Sequence, residues 1–371
     1  MEPIAGQDVK NSFSLFDQLQ SYEHEQIVVC SDNDTGLKAI IAIHDTTLGP
    51  ALGGTRMWPY ASDQEALRDV LRLSKGMTYK AAVAGLNLGG GKAVIIGDPR
   101  KDKSEAYFRT YGRFIEGLGG RYITAEDVSI GVKEIEKIRM ETRFVTGIPE
   151  AIGGSGDPSP VTAYGTYMGI KACAKKTYGS DDLAGKKVAV QGAGSVSRFL
   201  IKHLTEAGAK VYVCDIYDDK LKEVTDEFEV SVVDPDDIYD VDADIFSPCA
   251  LGGIINDKTI PRLKCDIVAG AANNQLDDEE THGRKLIERG IMYAPDYVIN
   301  AGGLINVANE LEGYNAERAL TQASRIYDKI LEVMDYATEN DMPPYEASNE
   351  LAENRIQAIS KIKGIYASSS P

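Results

Sequence analysis

A strand, a glycine turn, a helix and a second strand follow one another in the second half of the chain, and this order constrains the fold most strongly. Residues 187–191 (KVAVQ) predict a buried strand, and Gly192 and Gly194 then predict a turn into a helix. Residues 196–204 place apolar side chains on one helical face, and residues 210–215 predict the next strand. The arrangement is typical of a dinucleotide-binding unit in a parallel sheet, whereas a Gly-x-Gly pair alone would be weak evidence.

The same unit indicates which dinucleotide it binds. Gly192 permits the tight turn, and Gly194 allows the backbone to meet a pyrophosphate at the N-terminus of the helix, where free N–H groups favour anions. Asp215 at the end of the second strand is expected to accept hydrogen bonds from the adenosine ribose. A carboxylate repels a 2′-phosphate, and Ile216 and Tyr217 supply no arginine to receive one. NAD is therefore favoured over NADP, with a solvated acid at a strand end as the alternative for Asp215.

A glycine-rich stretch between Lys80 and Lys92 is the second informative feature. Its apolar and small residues exclude a solvated basic tract, and the glycines at 89–91 are expected to adopt dihedrals closed to other residues and to approach a ligand. Burial and mutual repulsion would lower the pKa of the more buried lysine, which leaves one base and one cation able to hold a carboxylate. A glycine loop with two surface lysines stays open as the alternative. A phosphate-binding Walker loop fails, because Leu86 and Ala93 stand where it needs glycine and a hydroxyl.

The rest of the chain alternates short apolar runs with amphipathic segments, which predicts an α/β fold. A loop at residues 153–160, rich in glycine and proline, is interpreted as a hinge or interdomain turn, with a plain linker as the alternative. The principal further elements are strands at 26–30, 37–44 and 93–96 and helices at 63–73, 104–118, 161–176, 316–339 and 345–363.

Composition and charge exclude several classes of function. A chain of 371 residues with 43% hydrophobic and 26% charged residues is expected to be a soluble globular protein of two domains. The formal net charge of −17 argues against nucleic-acid and anionic-membrane partners, and no signal peptide or membrane-spanning run is predicted. Five scattered cysteines and four scattered histidines predict reduced thiols, a cytoplasmic location and no metal site.

Several long motifs occur in one order along nearly the whole chain. With them, the chain resembles the family of glutamate, leucine, phenylalanine and valine dehydrogenases. The motifs are LGGTRMW at 52–58, KGMTYK at 75–80, GGGK at 89–92, YITAED at 122–127, PSPVT at 158–162, AANNQ at 271–275 and NAGG at 300–303.

This resemblance implies two domains separated by a cleft. Residues 1–150 are expected to form an α/β catalytic domain that binds the substrate and that residues 343–371 complete. Residues 151–342 are expected to form a Rossmann-type, doubly wound NAD-binding domain. The relatives are oligomeric, commonly octameric, so a homo-oligomer is expected.

The resemblance also implies a role for each motif residue. Lys80 is expected to hold the substrate α-carboxylate, Lys92 to activate water for attack on an imine, and Asp127 to serve the substrate nitrogen as acid and base. Oxidative deamination needs such proton acceptors independently of the family. Further contacts are implied for the substrate at Gly53, Gly54 and Asn300, and for the cofactor at Thr162, Ser195, Val196, Ile216, Ala250, Asn273 and Asn274.

The substrate side chain is expected to be aliphatic. At the positions that would meet a distal carboxylate in a glutamate enzyme, this chain has the apolar Leu52 and Val307, and Leu304 stands where relatives often have valine. The sequence therefore predicts a branched-chain L-amino acid that is converted to its 2-oxo acid and ammonia. A phenylalanine or valine dehydrogenase of the same family is the alternative, and an NAD-binding protein without turnover is the third reading.

Overall fold

The structure, a computed structural model, describes residues 15–362. Its contacts divide the chain into two compact units. The first contains the described residues up to Thr78 together with Leu88–Val145, and the second contains Tyr79–Asn87 and the chain from Thr146 onward. Among the helices of residues 15–362, none combines the length and the apolar character needed to cross a membrane.

The first unit is built on a five-stranded mixed sheet. The strands lie in the order β1-β2-β4-β3-β5, in which β1, β2 and β4 pair antiparallel while β3 pairs parallel with β4 and β5. Helix α2 belongs to this unit as far as Thr78, and its last turn belongs to the second. The elements are α1 (Leu15–Tyr22), β1 (Gln26–Asp32), β2 (Leu37–Asp45), β3 (Ala51–Trp58), α2 (Asp63–Val83), β4 (Gly89–Ile96), α3 (Glu105–Glu116), β5 (Tyr122–Ala125) and α4 (Val132–Arg139).

Alternation along the strands of this sheet directs the packing of α2. Apolar residues of α2 recur at helical spacing and pack against every second residue of β2 and of the inner strand β4. The cluster consists of Ile40, Ala42, Ala66, Leu67, Val70, Leu71 and Val94. Lys92 precedes Val94 by two positions in β4, so it shares the face of the sheet that α2 covers.

The second unit is built on a six-stranded parallel sheet in the order β11-β10-β9-β6-β7-β8. This is the doubly wound order, and its strand order reverses between β6 and β9. The elements are α5 (Ser159–Tyr178), β6 (Lys187–Gln191), α6 (Ser195–Glu206), β7 (Lys210–Cys214), α7 (Asp218–Glu227), β8 (Val230–Val232), β9 (Ile245–Pro248), β10 (Ile267–Val268), α8 (Glu279–Glu288), β11 (Met292–Tyr293), α9 (Asp296–Ile299), α10 (Gly302–Ala308), α11 (Ala316–Ser324), α12 (Ile326–Glu339) and α13 (Pro344–Ser360).

The predicted two-domain α/β fold is confirmed. Most predicted elements differ from the observed ones by a few residues at their ends, and three differ more. The helix predicted to end at residue 73 continues to Val83, and the strand predicted at 93–96 begins at Gly89. The helix predicted over 316–339 is two helices that meet at Arg325. In the first two cases tertiary packing extends an element through glycines that local propensity would place in a loop.

The contact division differs from the expected domain bounds at the C-terminus. Helix α13 groups with the second unit, because Ala347 packs with Val333 and Ala337 of α12. In addition, the Arg355 guanidinium donates to the carbonyls of Ala82 and Leu86, at distances of 2.8 and 2.7 Å. The expected end of this segment, residues 363–371, lies outside the described residues.

Candidate active site

Lys92 is a buried lysine in an ion pair. It lies in β4 between β2 and β3, and only 7% of it is exposed. Its Nζ lies 2.9 Å from Oδ2 of Asp127, which follows β5 after Glu126. The surface-lysine alternative is therefore wrong for Lys92, and two of the predicted catalytic residues are in direct contact.

Arg56 binds Asp127 beside Lys92. Its Nε lies 3.1 Å from Asp127 Oδ2, and its Nη1 lies 3.0 Å from Asp69 Oδ2, which also accepts a 2.6 Å hydrogen bond from the Tyr60 hydroxyl. Burial by itself would raise the pKa of Asp127, but Lys92 and Arg56 outweigh it and hold that pKa below its ordinary value. The carboxylate is therefore ionised at neutral pH.

The three glycines before Lys92 do not have the predicted role. They lie in β4, and none has a positive φ angle, so the expected special dihedrals are wrong. An added Cβ would instead lie 2.0 Å from Asp45 O at Gly89, 2.1 Å from Thr78 N at Gly90, and 2.7 Å from Tyr122 Cδ2 at Gly91. Such distances are far below van der Waals contact, so glycine is required here by close packing within the protein.

The predicted substrate residues of the first unit lie on β3. Leu52 is 1% exposed, and Gly53 and Gly54 are buried. A Cβ at Gly53 would lie 1.7 Å from Gly91 O, and one at Gly54 would lie 2.9 Å from Asp127 Cβ. The two glycines therefore bring β3 against the GGGK strand and against Asp127.

An open cavity of about 570 Å³ lies in the first unit. Arg56, Trp58 and Tyr60 are in its wall, together with residues of α2, whereas Lys92 and Asp127 are not. The cavity therefore borders the charged network without containing the Lys92–Asp127 pair, and the catalytic assignment depends on the ion-pair geometry.

In the second unit, Lys80 forms a hydrogen bond with the Asn300 side chain. Its Nζ donates to Asn300 Oδ1 at 2.6 Å, and Asn300 Nδ2 donates to Asn273 Oδ1 at 2.7 Å. Lys80 is half-buried in the last turn of α2, and Asn300 is 4% exposed. The Asn300 amide therefore connects Lys80, a predicted substrate residue, to Asn273, a predicted cofactor residue.

Other predicted residues of this unit lie on the neighbouring elements. Leu304 is buried in α10 and Val307 is half-buried there, while Thr162 Oγ1 in α5 donates to Pro158 O at 2.9 Å. Asn274 is exposed and has a φ of 51°, the left-handed conformation that asparagine tolerates better than most residues.

The glycine turn of the nucleotide-binding unit has the predicted geometry. Gly192 has a φ of 102°, and its N–H donates to Cys214 O at 2.8 Å. Asp215 Oδ2 accepts a 2.7 Å hydrogen bond from Ala193 N, and Oδ1 accepts one from Tyr217 N at 3.0 Å. Asp215 therefore holds the turn as well as standing at the strand end.

The surroundings of this turn leave space beside the N-terminus of α6. No atom lies within 4 Å of a Cβ added at Gly194, whereas one added at Gly192 would lie 2.9 Å from Ala250 Cβ. Ser195 and Val196 begin α6, and Ile216 is 75% exposed after β7. These residues at the carboxyl ends of β6, β7 and β9 fit a dinucleotide at the point where strand order reverses.

Sequence reasoning assigned no role to Arg56, Asp69 or Asp296. Arg56 lies within the LGGTRMW motif, and an arginine in a buried strand was the available signal that a carboxylate partner was needed. Asp69 lies on the polar side of α2, and Asp296 begins α9, where an acid is expected merely as a helix-start residue.

Comparisons with known proteins agree with this geometry. Residues 24–144 match the family model described as Glu/Leu/Phe/Val dehydrogenase, dimerisation domain. Residues 153–220 and 212–364 match the model described as Glutamate/Leucine/Phenylalanine/Valine dehydrogenase. The chain belongs to the Glu/Leu/Phe/Val dehydrogenase family. It is thus a nicotinamide-dependent amino-acid dehydrogenase.

Individual relatives of this dehydrogenase are similar over almost their whole length. The leucine dehydrogenase of Thermoactinomyces intermedius is 60% identical over 352 residues, which cover 95% of this chain and 96% of the relative. The phenylalanine dehydrogenase of Bacillus thermotolerans is 51% identical over 366 residues, with coverages of 97% and 95%. The crystal structure of L-tryptophan dehydrogenase from Nostoc punctiforme superposes with a TM-score of 0.85 at 47% identity and covers 94% of this chain and 100% of that one.

Proposed function

We propose that this dehydrogenase catalyses the reversible oxidative deamination of leucine, and of valine and isoleucine, to the 2-oxo acid and ammonia with NAD as the oxidant. The observation that carries the proposal is the buried Lys92–Asp127 ion pair. Deamination requires one group that deprotonates water and one that exchanges protons with nitrogen, and an adjacent amine and carboxylate are suited to both steps.

Within this proposal Lys92 and Asp127 divide the proton transfers. Lys92 first passes its ion-pair proton to Asp127 and then, as a neutral amine, accepts the proton of the water that attacks the imine carbon. Asp127 gives the transferred proton to the substrate nitrogen, which leaves as ammonia. The 2.9 Å distance between Lys92 Nζ and Asp127 Oδ2 allows a proton to pass between the two groups. Arg56 holds Asp127 in its ionised form, which is the form that accepts a proton.

Lys80 is proposed to bind the substrate α-carboxylate. Its hydrogen bond to the neutral Asn300 amide orients the ammonium without cancelling its charge. A hydrogen bond that involves a charged group contributes about 1.5–3 kcal/mol, enough to account for a large part of the affinity for a small anion.

The cofactor is proposed to be NAD, which would accept a hydride from the substrate Cα. The positive φ of Gly192 and the empty space beside Gly194 fit a pyrophosphate at the N-terminus of α6. Asp215 favours NAD, because its carboxylate would repel a 2′-phosphate. Replacement of Asp215 by alanine is expected to raise the KM for NAD, whereas Asp215→Asn retains an acceptor for the Ala193 N–H.

An aliphatic substrate side chain is favoured by the apolar character of Leu52, Leu304 and Val307. Phenylalanine is the second candidate, because a relative named phenylalanine dehydrogenase is 51% identical to this chain. The difference of a few carbon atoms changes the free energy of binding by only about 1–3 kcal/mol for each methylene, so a kinetic comparison is needed.

The test is the rate of NADH formation, followed by its near-ultraviolet absorbance, with leucine, valine, isoleucine, phenylalanine and tryptophan. Leucine is expected to give the highest kcat/KM, and NADP in place of NAD is expected to reduce the rate strongly. A higher kcat/KM for phenylalanine would replace leucine with the second candidate, and no NADH from any of the five would favour an NAD-binding protein without turnover.

A homo-octameric assembly is also proposed, by resemblance, and sedimentation velocity tests it.

A further inference from the structure

The one-turn helix α9 carries a polar side chain at each end. Asp296 begins it and Asn300 follows it directly, and the Asn300 N–H donates to Asp296 O at 2.9 Å. The side chains of both residues reach the loop that follows β10, residues 271–275, which contains Asn273 and Asn274. A single helical turn therefore fixes two polar groups relative to each other.

The Asn300 amide is bonded at both of its atoms, and its orientation is determined by its partners. Oδ1 accepts from Lys80 Nζ at 2.6 Å, while Nδ2 donates to Asn273 Oδ1 at 2.7 Å and to Ala271 O at 3.2 Å. An ammonium can only donate and a backbone carbonyl can only accept, so the reverse orientation would oppose donor to donor and acceptor to acceptor. Movement of Lys80 is thereby linked to the position of the 271–275 loop.

Asp296 fixes the other end of the same loop. Its Oδ2 accepts from Gln275 N at 2.9 Å, and the fully buried Gln275 side chain donates through Nε2 to Gly270 O and Ala272 O at 2.8 and 2.9 Å. Between these anchors Asn274 has its positive φ. Burial raises the pKa of Asp296, although the Gln275 N–H and Lys80 oppose that rise.

We propose that α9 couples substrate binding to cofactor binding, with Asn300 and Asp296 as positioning residues that connect Lys80 to the 271–275 loop. A carboxylate that binds Lys80 then orders the loop through Asn300, and a bound cofactor pre-orients Lys80 in return. This inference rests on the proposed function, because it takes Lys80 as the carboxylate ligand and the loop as the neighbour of the nicotinamide. Coupling of this kind is reciprocal, and a factor of about 5–150 in affinity is typical.

The experiment measures the Kd of NADH by its fluorescence, with and without saturating 4-methyl-2-oxopentanoate and in the absence of ammonia, so that no turnover occurs. The wild-type chain is expected to bind NADH at least fivefold more tightly with the 2-oxo acid present. Asn300→Asp keeps an acceptor for Lys80 but loses the three hydrogen bonds that Nδ2 donates, so its ratio of the two Kd values is expected to fall close to one. Asn340→Asp is the matched control, since its exposed amide donates to a single carbonyl, Tyr336 O, and the wild-type ratio is expected there.

Asp296 gives an independent measurement. Asp296→Ala removes the acceptor for Gln275 N and is expected to weaken NADH binding about tenfold, while Asp296→Asn retains an oxygen acceptor and is expected to restore most of it. Circular dichroism identifies any variant that fails to fold. If Asp296→Ala does not fold, the conservative Asp296→Asn is measured in its place. A wild-type Kd ratio of one, or an unchanged ratio in folded Asn300→Asp, would overturn the coupling. Leucine turnover is measured separately, so failure of the proposed function is recognised without reference to the Kd ratio.

Discussion

Lys92 in the first unit and Lys80 in the second have the same side chain but different partners. Lys92 is buried and forms an ion pair with Asp127, which Arg56 also binds. Lys80 donates to a neutral amide oxygen. A carboxylate can exchange a proton with an amine, whereas an amide oxygen orients the ammonium and leaves its charge in place. The contacts of each lysine, rather than the glycine-rich stretch between them, therefore suit it to its role. The carboxylate beside Lys92 suits proton transfer, and the amide that Lys80 contacts suits anion binding.

The largest expected effect is that of Lys92→Met, which keeps most of the side-chain volume and removes the amine. Loss of a positioned acid–base group is expected to lower kcat by about 10²–10⁴-fold. The Kd of NADH, measured by fluorescence, is expected to change less than threefold. Lys38→Met, at an exposed position of the neighbouring strand β2, is the control. Equal losses of kcat and NADH binding would indicate a folding defect and break the comparison.

Lys80→Met is expected to act mainly on substrate binding. Removal of a charged hydrogen-bond donor costs about 1.5–3 kcal/mol, so the KM for leucine is expected to rise roughly 10- to 100-fold, with a smaller change in kcat. Steady-state kinetics at saturating NAD measure both parameters. Lys329→Met, which removes an exposed ion pair with Glu332 on α12, should leave both unchanged. If kcat fell as far as in Lys92→Met while KM stayed constant, the two lysines would not have the different roles proposed.

Gly91→Ala tests whether the GGGK strand acts through packing. The added Cβ would lie 2.7 Å from Tyr122 Cδ2 and 3.1 Å from Ala51 Cβ, so we expect a loss of about 1–3 kcal/mol in the free energy of unfolding. Urea denaturation measures it. Gly76→Ala on the exposed side of α2 is the matched control, because nothing lies within 4 Å of its Cβ and alanine favours a helix. A destabilised Gly76→Ala beside an unaffected Gly91→Ala would refute the packing explanation.

The last prediction concerns pH and the first unit. His24 and His44 lie 4.9 Å apart between ring centroids and bind Ser74 and Thr78. Burial, together with His44 and Lys75, lowers the pKa of His24 to about 3. Burial, together with Lys75, lowers the pKa of His44 to about 4. The unfolded chain therefore binds protons that the folded chain does not between pH 6.5 and 4, so stability falls as pH falls through that window.

For each histidine the loss is at most about 1.4 kcal/mol per pH unit, and less for the more exposed His24. Urea denaturation at pH 7.5 and 5.0 measures the slope, and His44→Gln is expected to reduce it. A slope that stays the same in His44→Gln would show that other groups cause the acid sensitivity.

Much of the second unit could be predicted from local sequence. The strand at 187–191, the helix beginning at Ser195 and the role of Gly192 are local features, because a turn with a positive φ and a helix start each depend on a few adjacent residues. The position of Asp215 was predicted in the same way, but its bond to Ala193 N was not, since it joins residues twenty-two positions apart.

The first unit was harder to predict. The sequence predicts special dihedrals for the glycines at 89–91 rather than a strand, because no local signal shows that residues from other segments crowd each Cβ position. Arg56 and Asp69 were overlooked for the same reason, since an ion pair between a strand and a helix exists only after the sheet has formed.

By itself the sequence determined the two-domain α/β class, the dinucleotide-binding turn and the family, because these are carried by local pattern and by motifs in a fixed order. Only the tertiary structure decided what each lysine contacts. The free energy of a charged group depends on the few atoms within about 4 Å of it, and those atoms come from distant parts of the chain. Asp127 reaches Lys92 from just after β5, although β3 lies between β4 and β5 in the sheet, and Asn300 reaches Lys80 across two hundred and twenty positions.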